Sequence, residues 1–342
     1  LNILFVAGPG RSGTTAFANY LNQHPRLLIC RERYKFLQPE ITPDLFSFDR
    51  ILDYREGETN LPKSYHEELL AGKSPDELAW IGDKTPSYVR NLGKLHKNNP
   101  GSRFIVLYRP IEEVAESYDA RSKNPEDAWL GGKNGFELGV RDWNIAMKKT
   151  RQFVEGPRDP ELLIISYHDF FSRSESCIPL VSRFLEIEFD DEVRRAWEKM
   201  SRSFENRRRR KEPLSQEQAR YIQENKDHET EAWVLDRIQR QWDDPELPFR
   251  STLPAQQEHQ GKTEAGTEQT TSQKAAPRGP NPQQLKQRIV TLEQSLEKEQ
   301  DKTQYLEARL RSLEIQVKEM RGSTGSRLLK RLDSLRGRLL DR

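Results

Sequence analysis

Apolar positions along the chain gather into short continuous runs. "NILFVAG", "ELAWIGD", "RFIVLYR" and "ELLIISY" are rich in β-type residues, and each is followed by a polar turn and a helix-spaced pattern. A strand reads as continuously apolar, rather than alternating, when both faces of its sheet are covered. The alternation of such strands with helices therefore predicts an α/β fold, a parallel sheet flanked by helices on both faces, over residues 1–250. A further short apolar strand is read in "RLLICRERYKFL", ending at Arg31-Glu32.

The pattern changes at Ser251. Residues 251–282 hold few large apolar side chains and many Gln, Thr, Gly and Pro, the composition of a disordered linker. Beyond it Leu285, Ile289, Leu292, Leu296, Leu306, Leu310, Leu313, Val317 and Met320 recur in steps of four and three, interrupted at Glu299 and Thr303. That spacing predicts a coiled-coil helix over 283–321, and with it self-association or a partner helix; a single solvated helix is the plainer reading. The basic tail 322–342 repeats leucines at 328, 332, 335 and 339. It either contacts an anionic membrane or a partner with that stripe, or simply extends the helix.

Composition supports this division. Only 34% of 342 residues are apolar and 32% are charged, too polar for one globule of that length. The 56 basic and 54 acidic residues nearly cancel, so no global field points to nucleic acid. Two cysteines, Cys30 and Cys177, fit reduced thiols in a cytoplasmic setting better than a disulfide framework. No run reaches the roughly 20 apolar residues of a membrane span, and "LNILFVAGPG" is too short for a signal-peptide core. The chain opens inside a strand, so a targeting segment upstream of Leu1 could be missing.

The first candidate site is "FVAGPGRSGTTAFANYLNQHP", a strand, a glycine-rich turn and a helix in the order of a phosphate-cradling loop. Gly10 and Gly13 permit the tight turn and the close approach of an anion to the backbone. Gly8 and Gly13 have the separation of a nucleotide-hydrolysing P-loop, but Thr14 stands where that loop carries its lysine. A kinase reading is weakened accordingly.

"RSGTT" resembles the 5′-phosphosulfate loop of the sulfotransferases that use 3′-phosphoadenosine 5′-phosphosulfate (PAPS). The resemblance implies that Arg11 contacts the oxygen between sulfur and phosphorus, and that Thr14 and Thr15, within the loop Gly10, Arg11, Ser12, Gly13, are phosphate ligands. Sulfuryl transfer releases a 5′-phosphate, so a cation is wanted at the bridging oxygen, and Arg11 supplies it with no metal expected. "HP" at His24-Pro25 is a further likeness. "FIVLYRPIEEVAESYDAR" is similar to the family's 3′-phosphate site, an Arg at a strand end (Arg109) and a Ser (Ser117) two helical turns on, suited to a doubly charged phosphate. Pro110 departs from the usual Asp or Asn. The basic cluster "SFENRRRRKEPLS" at 203–215 lies where the family has a late loop over the cofactor; Arg207 to Lys211, with Arg209 and Arg210 foremost, are its candidates, and a solvated charged face is the plain alternative.

Attack on sulfur by an alcohol requires a proton acceptor, and Glu32 ends a strand beside the loop, where ligands bind in open α/β sheets. Its position is similar to that of the catalytic Glu of carbohydrate sulfotransferases, a resemblance that implies the role of base. A surface pairing with Arg31, Arg33 or Lys35 is the plain alternative, and His66, His96 and His168 are rival bases, while His24 more simply ends the helix. "GDKTPSYV" strengthens the carbohydrate likeness: Lys84 would contact the sulfuryl oxygens or position Glu32, and Tyr88 either packs as core or stacks on a sugar. The expected activity is PAPS-dependent transfer to a hydroxyl, a glycan first, with lipid and small-molecule alcohols open. A small-molecule kinase and a non-catalytic nucleotide-binding scaffold are the alternatives.

Overall fold

Five parallel strands form one sheet in the order β2-β3-β1-β4-β5 in a computed structural model of the chain. They are β1 (Asn2–Ala7), β2 (Leu27–Arg31), β3 (Trp80–Lys84), β4 (Arg103–Tyr108) and β5 (Leu162–Ser166). The structure describes residues 2–124, 134–157, 160–172, 174–208 and 214–243, all within a compact unit spanning Leu1–Ala255. The linker, coiled coil and basic tail read from the sequence lie outside the described residues, as do Arg209 and Arg210.

Strand residues alternate between two apolar layers. Phe5, Ala7, Phe104, Val106, Leu162 and Ile164 face a layer containing α5 (Ile111–Ser122) and α6 (Gly135–Val154), with Trp143 and Met147 fully buried. Leu4, Val6, Ile105, Leu107, Leu163 and Ile165 face the opposite layer, built from α1 (Thr14–Leu21), α7 (Tyr167–Ser172), α8 (Ser174–Leu185) and α9 (Asp191–Arg208). Burial on both faces is why the strands read as continuous apolar runs.

The winding positions the site. From β1 the chain runs out to edge strand β2, returns to β3, then crosses β1 to β4 and β5. The reversal falls at β1, and the crevice at the carboxyl ends beside such a reversal is where open α/β sheets bind ligands.

Close packing at β3 makes Gly82 indispensable. It pairs in register with Leu4, and a Cβ at position 82 would be driven into the Leu4 carbonyl. Gly82→Ala is expected to cost about 3 kcal/mol or more, the upper end of overpacking effects, read as a lowered urea midpoint.

Candidate active site

The loop after β1 is built for close approach. Arg11 (φ 67°) and Gly13 (φ 87°) both take left-handed backbone, and Gly13 is the N-cap of α1. A Cβ on Gly13 would stand 2.7 and 2.8 Å from ring carbons of Tyr167, so space and conformation alike require glycine. α1 buries Thr14, Phe17, Ala18, Tyr20 and Leu21, leaving Thr15 half-buried at the helix start. The Ser12 hydroxyl is buried and has no hydrogen-bond partner among the described residues. An unsatisfied buried hydroxyl is costly unless an incoming group completes it. A phosphate oxygen fits that need, and the residues of the loop suit the 5′ end of the expected cofactor.

Gly10 is tied to the helical layer by its own amide. Its amide is not left open to an anion: it donates to Asp142 Oδ2 at 2.8 Å. Asp142, on α6, also accepts from Tyr118 Oη (2.8 Å) and from Arg90 Nη2 (2.9 Å), so one carboxylate ties the loop to α5, α6 and the turn after β3. Sequence reading missed Asp142, which lies 132 residues from Gly10 and carries no local motif.

Arg109 and Ser117 converge on the loop through Arg11. Arg11 Nε donates to Ser117 Oγ at 3.0 Å, and Arg109 Nη1 donates to the Arg11 carbonyl at 2.7 Å. The Arg109 guanidinium lies 4.3 Å from the centroid of the Tyr167 ring, while its Nε donates to Glu113 Oε2 at 2.9 Å. Glu113 Oε1 in turn meets His168 Nε2 at 2.6 Å, and the Arg109 carbonyl accepts from Trp143 Nε1 at 2.8 Å. Pro110 is the N-cap residue of α5, where a missing N–H removes no bond within the helix.

Glu32 and Lys84 form an ion pair at the other side of β1. Lys84 stands in register with both Val6 and Arg31, and its carbonyl accepts the Glu32 amide at 2.8 Å. Lys84 Nζ, fully buried, donates to Glu32 Oε1 at 3.0 Å, and Lys35 Nζ donates to Oε2 at 3.0 Å. Burial pushes the Glu32 carboxyl up, but the ammonium groups of Lys84 and Lys35 outweigh it and hold its pKa at about 2. For Lys84 burial is the larger influence and pulls its pKa down, partly offset by Glu32.

This pair fixes the sign of an acid effect. Glu32 is depressed from an ordinary 4.5, so its ionic contribution to stability is complete above that value and lost as pH falls through about 2. Glu32→Gln is therefore expected to melt below the wild type at pH 7, with the gap closing between pH 4.5 and 2 in parallel thermal scans.

Of the plain pairings, that with Lys35 is present, alongside Lys84. Arg33 is buried on Glu58, and Arg31 packs 5.5 Å from the Tyr65 ring centroid, so neither pairs with Glu32. His66 is buried, accepts from the Arg31 amide and contacts Tyr54 Oη; burial first, then Arg33, lowers its pKa to about 4. His96 packs among Phe104 and Phe153, and His168 faces Glu113. His24 sits just past α1 with Nε2 on the Glu188 carbonyl. Tyr88 is core: it is fully buried and its hydroxyl goes to Asp83.

Comparison with known proteins gives the same direction. No curated protein matches the chain. Among solved structures it is similar to the sulfotransferase domain from the curacin biosynthetic pathway (19% identity, covering 56% of this chain and 76% of that one, TM-score 0.40). It is similar also to the sulfotransferase domain of the Synechococcus PCC 7002 olefin synthase (18%, 56% and 75%, TM-score 0.38). A third is a sulfotransferase from Alicyclobacillus acidocaldarius (16%, 57% and 89%, TM-score 0.36). The profile of the group described as "Sulfotransferase family" matches residues 4–191, more than half of the sequence, and the chain belongs to the sulfotransferase family.

Proposed function

We propose that the protein transfers a sulfuryl group from PAPS to a hydroxyl of a carbohydrate or glycoconjugate. The observation that carries this reading is the Lys84–Glu32 pair, a buried cation and a carboxylate at the carboxyl ends of β3 and β2, beside the strand that feeds the phosphate loop.

Ser12, Gly13, Thr14 and Thr15 are the residues that would hold the 5′-phosphate, with Gly10 acting through Asp142 and Arg11 supplying charge at the bridging oxygen. Arg109 and Ser117 would take the 3′-phosphate, with Arg209 and Arg210 as further candidate ligands. When bound, the cofactor supplies the activated sulfuryl group. Glu32 accepts the proton of the acceptor hydroxyl, and Lys84 stabilises negative charge on the transferring group.

The two lysines make Glu32 a weak base while both are bound to it. Any anion that draws Lys84 away returns the carboxylate toward ordinary basicity. Ligand binding and activation of the base are thereby coupled: the Glu32 carboxyl resonance is expected to titrate at higher pH with 3′-phosphoadenosine 5′-phosphate (PAP) bound than without it. A titration that does not move would remove this coupling.

The plain assay is incubation with PAPS and a panel of glycan, lipid and small-molecule alcohols, following PAP release and sulfated product by mass. Transfer to a glycan supports the full proposal; transfer only to other alcohols leaves the reaction and overturns the acceptor. Self-association through 283–321 and membrane or partner contact through 322–342 belong to the same proposal on leucine spacing alone. A cytoplasmic, reducing setting is supported by Cys30 and Cys177, both buried free thiols.

A further inference from the structure

Asp83 precedes Lys84 on β3, is fully buried, and lies on the sheet face opposite the loop helix, in register with Cys30. A carboxylate in an apolar layer needs donors for its oxygens. Four converge on it. Oδ1 accepts the Arg33 amide at 3.1 Å; Oδ2 accepts the Tyr34 amide at 3.2 Å, the Thr85 hydroxyl at 3.4 Å and the Tyr88 hydroxyl.

The two amides are those that follow Glu32. Leaving β2, the chain must turn at once if the Glu32 carboxylate is to meet Lys84, and it does so by placing Glu32 in left-handed backbone at φ 50°. A non-glycine residue there costs on the order of 1 kcal/mol and persists only where its surroundings enforce it. The enforcement is visible on every side. The Glu32 amide donates to the Lys84 carbonyl, its own carbonyl accepts from Thr59 Oγ1 at 2.7 Å, and the next two amides are claimed by Asp83. Beyond them the buried Arg33 side chain anchors the turn, donating to the Ile51 carbonyl (2.7 Å), the Asp53 carbonyl (2.9 Å) and Glu58 Oε2 (2.7 Å).

We propose that Asp83 is a positioning residue for the reaction: by accepting the Arg33 and Tyr34 amides it locks Glu32 in the left-handed turn that sets its carboxylate on Lys84. The inference rests on the reading of Glu32 as the base. It assigns to the "GDKTPSY" stretch two tasks on opposite sheet faces, Lys84 for charge and Asp83 for alignment.

The test uses the full chain and four variants, measuring kcat and KM with PAPS and an accepted alcohol, the pH–rate profile, and PAP affinity by calorimetry. Asp83→Asn leaves one oxygen for two amides. It is expected to lower kcat about 100-fold, the scale of a misplaced catalytic group, and to move the acid limb of the profile upward as the Lys84 pairing loosens. PAP affinity should stay within about twofold, because the loop and Arg109 are untouched. Tyr88→Phe removes a donor to the same buried carboxylate but leaves both amides held, and is expected to keep kcat within about twofold.

Should Asp83→Asn fail to fold, Thr59→Val decides, since it releases the Glu32 carbonyl from a half-buried loop. A kcat loss of about tenfold at unchanged PAP affinity supports the lock; unchanged kcat overturns it. A folded Asp83→Asn with wild-type kcat, or one that loses PAP affinity in step with kcat, overturns it too. Glu32→Gln separates the two levels. If it is inactive while Asp83→Asn is normal, the positioning role alone is wrong; if it is fully active, the base assignment fails.

Discussion

Glu32→Gln is expected to lower kcat about 1000-fold, within the range for loss of a general base, while PAP binds at least as tightly as to wild type, because the neutral side chain leaves Lys84 to the nucleotide. Glutamine preserves the length and shape of the side chain and can still accept a hydrogen bond from Lys84. It cannot take a proton. The residues proposed to hold the nucleotide lie on the loop, just after β4 and on α5, tied together through Arg11. A separation of kcat from binding is therefore the signature of the base, checked by steady-state kinetics beside calorimetry. Equal losses in both would instead mean that the variant had disturbed the site as a whole, and the buried Lys84, left without its counter-charge, is the place to look for that.

Arg109→Ala carries the second large effect. The guanidinium is held by the Arg11 carbonyl, Glu113 and the Tyr167 ring, an arrangement that orients it at the end of β4 before any ligand arrives. A charge-assisted fork to a phosphate is worth about 2–3 kcal/mol, so PAP affinity is expected to fall roughly 30- to 150-fold. Adenosine 5′-phosphosulfate, which lacks the 3′-phosphate, should bind wild type and variant alike. Equal weakening of both nucleotides would place the loss in the loop, through the bond from Arg109 to the Arg11 carbonyl, and not in recognition of the 3′-phosphate.

What the sequence made legible is what local spacing encodes. The strands, the glycine turn and the buried stripe of α1 each follow from residues close together in the chain; four strands fall within the apolar runs and β3 passes the end of its run by one residue, Lys84. Arg109 and Ser117 could be paired because one helix carries the hydroxyl around two turns, although they meet through Arg11 rather than directly. The supporting carboxylates were not legible. Asp142 reaches Gly10 across 132 residues and Asp83 reaches the Arg33 amide across 50, contacts created by strand order and invisible to periodicity. Arg33 is the sharpest case. In "RERYKF" it reads as one more surface charge, yet it is fully buried because Glu58 and three backbone carbonyls, from a segment with no motif, satisfy its donors. Composition had the charge; only topology could supply the partners.

The central claim is that this phosphate loop serves a 3′-phosphorylated sulfuryl donor instead of a nucleoside triphosphate and its metal. Calorimetric titration of the full chain with PAP, in parallel with ADP and Mg²⁺, tests it most directly. The account predicts that PAP binds more tightly, that added Mg²⁺ does not improve it, and that Arg109→Ala removes most of the preference. Tighter binding of ADP–Mg²⁺, with PAP indifferent to Arg109, would contradict it.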